Sequence, residues 1–212
     1  MSLLVRPCHH HRFRAVLNDS FRLRREAFEA GRTADSGLEQ DGFDGNAAHY
    51  LVRLDPAARA IATARITPGG AGGFPCDRLA AQMGVALPRG PHVVELSRLC
   101  VDPRLGREAR VQALVELRAC IGLLFLRHGW AVGVGVGHDR HIQPFILGGM
   151  TVQVLGPPAL LPGDSQLSFA VLIANPDRLR PAGGFEAGRP FPLQDPDQDP
   201  SLFTRYGDRA VA

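Results

Sequence analysis

Charged side chains are seldom buried unless they are paired, yet the apolar, strand-like runs of this chain carry Arg65, Glu95 and Arg98. Upstream lies a second set of charges, in Glu39-Gln-Asp41-Gly-Phe-Asp44. A fold that buries these runs must bring the two sets together, so one ion-pair cluster lining a polar pocket is expected. That pocket is where function should be sought.

The chain has 212 residues, 45% of them hydrophobic, enough for one domain with a sizeable core. The expected division is a single domain over residues 1–180 and an irregular, Pro- and Asp-rich tail over 181–212. All 24 basic residues are arginine, which excludes Schiff-base and lysine general-base chemistry and is read as a compositional bias. The arginines are spread along the chain without a nucleic-acid motif or an aromatic platform, so nucleic acid is not expected as a partner. Cys8, Cys76, Cys100 and Cys120 show no Cys-x-x-Cys spacing and are read as reduced thiols. No apolar run approaches a membrane span, so neither membrane insertion nor a location outside the cytoplasm is expected.

Leu17, Phe21, Arg24 and Phe28 fall at helical intervals, which predicts a helix ending near Gly31 with Arg24 on its inward face. Residues 32–47 read as a loop, and strands are expected at 48–54 and 60–66 around an Asp55-Pro56 turn. A Gly-rich connector, a short helix near Cys76 to Met83 and a strand from His92 to Val101 follow. Alternation puts Glu95 and Ser97 on one face of that strand and Arg98 on the other, unless a bulge resets the register. Val111, Leu114, Ile121 and Leu124 trace an amphipathic helix over 108–128 closed by Gly129. A strand over 130–136, a helix over 138–147 and strands at 151–155 and 167–174 complete the pattern.

Four pieces of this sequence, Leu23-Arg24-Arg-Glu-Ala-Phe28, Glu39-Gln-Asp41-Gly-Phe-Asp44, Ala64-Arg65 and Glu95-Leu-Ser97-Arg98, stand in an order and spacing that resembles the acyl-homoserine lactone synthases. The resemblance covers about residues 15–175. It implies a GNAT-like α/β (α+β) fold: a twisted mixed sheet flanked by helices, with a splayed cleft between strands 92–101 and 130–136. It further implies acyl transfer from acyl carrier protein or coenzyme A to the amine of S-adenosylmethionine, followed by lactonisation with release of methylthioadenosine. S-adenosylmethionine is then a substrate, and neither a prosthetic group nor a metal is called for.

Under that resemblance Glu95, Ser97 and Arg98 form the catalytic set, with Glu95 as base. Asp41 and Asp44 hold the cationic substrate, beside Phe28, while Arg24 and Arg65 fix those carboxylates or the substrate's own. Arg104, Gly106, Arg107 and the first amides of the 108–128 helix are placed to bind a phosphate. Two departures stand out: Ala34 where the family carries tryptophan, and Leu79 or Ala80 where an aromatic residue is usual. Gly135 stands where makers of oxo-substituted signals carry a hydroxyl residue, and with Gly133 and Gly137 it is expected to widen the acyl pocket for an unsubstituted, branched or bulky group.

Other readings stay open. Asp41 and Asp44 suit an ordinary turn, and Glu95 with Arg98 suits a structural ion pair. His9-His10-His11 is assigned no role, and His138 and His141 fit a helix end. The alternatives for the whole chain are an N-acyltransferase with another amine acceptor and an inactive acyl-binding relative.

Overall fold

The computed structural model describes residues 2–29, 40–53, 59–69, 73–147, 150–160, 166–174, 193–194 and 201. They fall into two compact units that interleave along the chain. One comprises Met1–Arg65, Arg98–Leu117 and Pro190–Ala212, the other Ile66–Ser97 and Arg118–Arg189. Ala34, Glu39, the turn at Asp55-Pro56 and most of the 181–212 tail lie outside the described residues.

The first unit is built on strands β1 (Ser2–Val5) and β2 (Ala48–Arg53) and on helix α1 (Arg14–Glu29). Strand β1 pairs antiparallel with β2, from Ser2 opposite Val52 to Val5 opposite His49. Helix α1 forms because Val16, Leu17, Ser20, Leu23 and Arg24 recur on one face, and all five are buried. Its apolar members pack on Leu3, Val5, Phe13, Ala60 and Cys100. Two polar contacts fix its position against strand β3 (Ala60–Pro68): Ser20 and Thr63 share a buried hydroxyl hydrogen bond of 2.7 Å, and the Ala60 amide donates to Asp19. The tail is not wholly irregular, since Leu193–Gln194 forms a short strand, β9, parallel to β1.

In the second unit, strand β4 (Val93–Val101) is followed by helix α3 (Arg107–His128) and strand β5 (Val132–His138), a parallel crossover. Strands β3 and β4 and helix α3 each run through both units. Strand β5 pairs antiparallel along its whole length with β8 (Leu167–Ala174), which also takes β6 (Thr151–Val154) and β7 (Ala159–Leu160). The short helices α2 (Asp77–Gln82) and α4 (Asp139–Leu147) complete the unit. The sheet is mixed and flanked by helices, as expected.

Three boundaries differ from the sequence reading. Val111 is 55% exposed, because the buried stripe of α3 begins later, at Ala113, Leu117, Cys120, Ile121 and Leu124. Trp130 precedes the strand rather than opening it. Its amide donates to the Phe125 carbonyl and closes α3 over Gly129, whose φ of 63° is the left-handed conformation such an end requires. His138 ends β5, opposite Ser168, and the helix starts at Asp139.

Candidate active site

The loop after α1 brings Asp41 and Asp44 against three arginines of the first unit. Arg24 Nη1 donates to Asp44 Oδ1 at 2.7 Å, and Arg65 Nη1 donates to Asp41 Oδ1 at 2.6 Å and to Asp44 Oδ1 at 3.3 Å. Arg98 Nη2 completes the set at 2.7 Å from Asp41 Oδ2. The loop is self-braced, with the Asp41 amide donating to Asp44 Oδ2 at 2.7 Å and the Phe43 amide to Asp41 Oδ1 at 2.9 Å. Arg24 and Arg65 are fully buried, Asp44 nearly so, and Arg24 also lies over the Phe21 ring at 5.2 Å.

Burial alone would push both carboxyls up, but the hydrogen bonds and charges of Arg65, Arg24 and Arg98, with backbone amides, outweigh it and hold both below the usual carboxylate range. Burial acts on Arg24 in the opposite sense and lowers it, against the pull of Asp44. Because Asp41 and Asp44 are depressed on folding, their contribution to stability is complete above an unfolded pKa of about 4. It is lost as the pH falls through the lower folded values. Asp41→Asn is therefore expected to flatten the acid limb of stability against pH, as read from urea midpoints between about pH 5 and pH 2. An unchanged limb would show that other carboxylates carry acid unfolding.

Arg98 reaches Asp41 by an unusual backbone. Its φ of 53° is left-handed, which a bulky residue adopts only where surrounding contacts hold it. The strain breaks the alternation of β4, as a bulge would. The carboxylate that Arg98 holds is that of Asp41, not of Glu95.

A cavity of about 420 Å³ adjoins the cluster, and Asp44, Phe21, Asn18, Gln40, His10 and His11 are among the residues that line it. His10 was given no role by sequence, yet its Nε2 lies 3.1 Å from the Ala47 carbonyl and ties the loop to the N-terminal segment. Burial lowers its pKa, so the neutral ring donates this hydrogen bond. An isolated histidine run carries no signal for such a contact. Among the described residues no group of His, Cys, Asp and Glu is placed to hold a metal ion, and none of the four cysteines is in a disulfide.

A model of the acetyltransferase (GNAT) domain matches residues 10–116, half of the chain. The chain belongs to the GNAT acetyltransferase family. No curated protein sequence matches this acyltransferase. Solved structures similar to it include the CoA-dependent acyl-homoserine lactone synthase BjaI with SAM and isopentyl-CoA, at 23% identity over 92% of each chain and a TM-score of 0.73. MesI, another CoA-dependent acyl-homoserine lactone synthase, is 21% identical over 88% of this chain and 97% of its own, with a TM-score of 0.72. The synthase LasI is 19% identical over 90% and 98%, with a TM-score of 0.70. At these identities the likeness establishes the GNAT fold.

The other expected site residues of this acyltransferase have surroundings of their own. Glu95 is 1% exposed in the second unit, and burial, with the charge of Glu95, pushes the Cys76 thiol up. Ser97 is half-buried on the same strand, and Phe28 packs on the α1 core. Arg104 is already engaged: it donates twice to Asp102, at 2.9 and 2.7 Å, and stands 3.0 Å from Glu26 of α1. Its hydrogen bonds hold the Asp102 carboxyl low. Arg107 is exposed at the first turn of α3.

The pairing of β4 with β5 covers only Val93–Glu95 opposite Val132–Val134, although both strands continue. The expected splay therefore opens after Glu95. A Cβ on Gly135 would lie 2.9 Å from the Leu96 carbonyl oxygen, and one on Gly133 would lie 2.8 Å from Phe125 Cζ. At these two positions the room left by glycine is filled by protein atoms, whereas at Gly137 the nearest atoms, of His141, are 3.8 Å away. Gly135→Ala must displace backbone and is expected to cost about 1–3 kcal/mol in urea unfolding. A neutral result would mean that β4 yields freely there.

Proposed function

We propose that this acyltransferase makes an acyl-homoserine lactone from S-adenosylmethionine and an acyl thioester. The observation that carries the reading is the assembly of buried Arg24, Asp44 and Arg65 with half-buried Asp41 and Arg98, drawn from pieces of sequence far apart in the chain. The likeness in fold to synthases solved with SAM or isopentyl-CoA supports it. S-adenosylmethionine carries a sulfonium, an ammonium and a carboxylate. The two aspartates attract the cations, and the guanidinium groups of the cluster suit the carboxylate.

In the first step the amine nitrogen attacks the thioester carbonyl. A C–N bond forms, the thiolate leaves, and the nitrogen gives up a proton, for which Glu95 is the acceptor, directly or through water. An α-amino group has a pKa of about 8, so freeing its lone pair near neutral pH costs only about 1 kcal/mol. In the second step a carboxylate oxygen attacks the carbon bonded to sulfur, the C–S bond breaks and methylthioadenosine departs. The sulfonium is a good leaving group, so this step depends mainly on holding the folded geometry. For Arg104 to bind a donor phosphate it must give up Asp102 or Glu26. Arg107 needs no such exchange.

A second reading, an N-acyltransferase with a different amine acceptor, draws on one observation: both aspartates are already engaged by arginines. One experiment separates the two. Purified protein is incubated with S-adenosylmethionine and a series of straight and branched acyl-CoA or acyl-carrier thioesters, and the products are identified by mass spectrometry. Stoichiometric lactone and methylthioadenosine are expected, with unsubstituted or branched acyl groups preferred over 3-oxo groups. Acylated product without methylthioadenosine would favour the second reading.

A further inference from the structure

We propose that His10 is a positioning residue for the loop that holds the substrate: its imidazole donates a hydrogen bond to the Ala47 carbonyl and fixes the end of the loop from which Asp44 meets S-adenosylmethionine. The inference rests on the reading that Asp41 and Asp44 bind the cations of that substrate. The contact joins residues 37 positions apart in the chain, with His10 Nε2 standing 3.1 Å from the Ala47 oxygen. Ala47 is fully buried and directly follows the single 3-10 turn Asp44–Asn46. Asp44 opens that turn, so a hydrogen bond at its end bears on where the Asp44 carboxylate stands.

Both partners sit on fixed backbone. His10 closes a second 3-10 turn, Pro7–His9: its amide donates to the Pro7 carbonyl at 3.2 Å, and its own carbonyl accepts the Phe13 amide at 3.3 Å. Phe13 is fully buried in the core beneath α1. On the other side, β2 starts at the residue after Ala47 and pairs at once with β1, His49 opposite Val5. A tether between two such anchors has little slack.

The loop needs the tether because packing does not hold its outer side. Its own amides and the arginines brace Asp41 and Asp44 from within. On the outside, the cavity of about 420 Å³ opens beside Asp44 and Gly45, and a Cβ on Gly42 or Gly45 would meet no described atom within 4 Å. His10 lines the same cavity, opposite Asn18 and Phe21 of α1. Glu95, the proton acceptor, belongs to the other unit. The effect of His10 therefore falls on affinity for S-adenosylmethionine rather than on the chemical step.

Two measurements test this. Binding of S-adenosylmethionine is titrated calorimetrically without an acyl donor, beside KM and kcat in the full reaction. His10→Leu, which fills similar space without a donor, is expected to weaken binding and raise KM by about threefold to tenfold, the loss of one neutral hydrogen bond, while kcat changes less than about twofold. His10→Gln, whose amide nitrogen reaches where Nε2 stands, is expected to restore both. A histidine that served folding alone would shift the urea midpoint and the fraction of competent sites but not the Kd of each site, and that result would overturn the proposal. Equal weakening in both variants would also overturn it, by assigning the effect to the ring. Nitrogen NMR spectra need no substrate: the histidine signal lost in His10→Gln is expected to be that of a ring protonated at Nε2. A ring protonated only at Nδ1 cannot donate this hydrogen bond and would sink the idea. If the wild type binds no S-adenosylmethionine, the reading of Asp41 and Asp44 fails and this inference with it. A wild type that binds, with variants that bind as tightly, condemns only the part given to His10.

Discussion

Glu95→Gln is expected to lower kcat/KM for acyl transfer by about 10²–10⁴-fold, the range for removing a positioned general base. The substitution nearly preserves shape, and the amide keeps a hydrogen-bond acceptor. It removes only the charge of a side chain that is 1% exposed, so little loss of stability is expected. That combination separates catalysis from support. A structural carboxylate would lose stability on neutralisation and leave turnover per folded molecule intact. Release of thiol from acyl-CoA, followed alongside urea unfolding of the same preparation, reads both. A fall in activity that merely tracks a fall in folded fraction would remove Glu95 from the mechanism.

Much of the candidate site was legible because periodicity reports on faces. Arg24 shares helical spacing with Leu17 and Phe21, so its burial follows from the wheel. Arg65 interrupts a run that alternation alone marks as a buried strand. Partners were less legible. Glu95 and Arg98 stand three residues apart in sequence, and an ion pair between them was a natural alternative, but the left-handed backbone at Arg98 accompanies a guanidinium that goes to Asp41. Nothing in a residue string encodes one positive φ on an arginine. The contact of His10 with Ala47 was equally hidden, since it joins residues far apart in the chain through tertiary packing. Arg104 was read as a phosphate ligand from its place ahead of a helix, and its engagement with Glu26 depends on how α1 lies, which local sequence does not specify.

The second large effect is on stability. Arg24→Met is expected to destabilise the protein by about 3–5 kcal/mol, the usual consequence of stripping the partner from a buried charge. Arg24 is fully buried and Asp44 is 3% exposed, so water cannot take over the solvation of the abandoned carboxylate. Asp44 keeps the longer 3.3 Å contact from Arg65 and the amide of Asp41, neither of which replaces the 2.7 Å bond from Arg24. Against the 5–15 kcal/mol that typically separates folded from unfolded chains, the loss is severe. Arg104→Met provides the contrast: its side chain is 59% exposed, so its solvent-screened pairs with Asp102 and Glu26 should contribute little to stability. The pH dependence identifies the cause. Without Arg24 the folded pKa of Asp44 rises, so the deficit of Arg24→Met should be largest where Asp44 is ionised and shrink as acid protonates it. In Arg24→Met/Asp44→Leu the abandoned charge is absent, and most of the stability should return. A deficit independent of pH and unrelieved in the double variant would mean that Arg24 supports the fold through its packing on Phe21 rather than through charge.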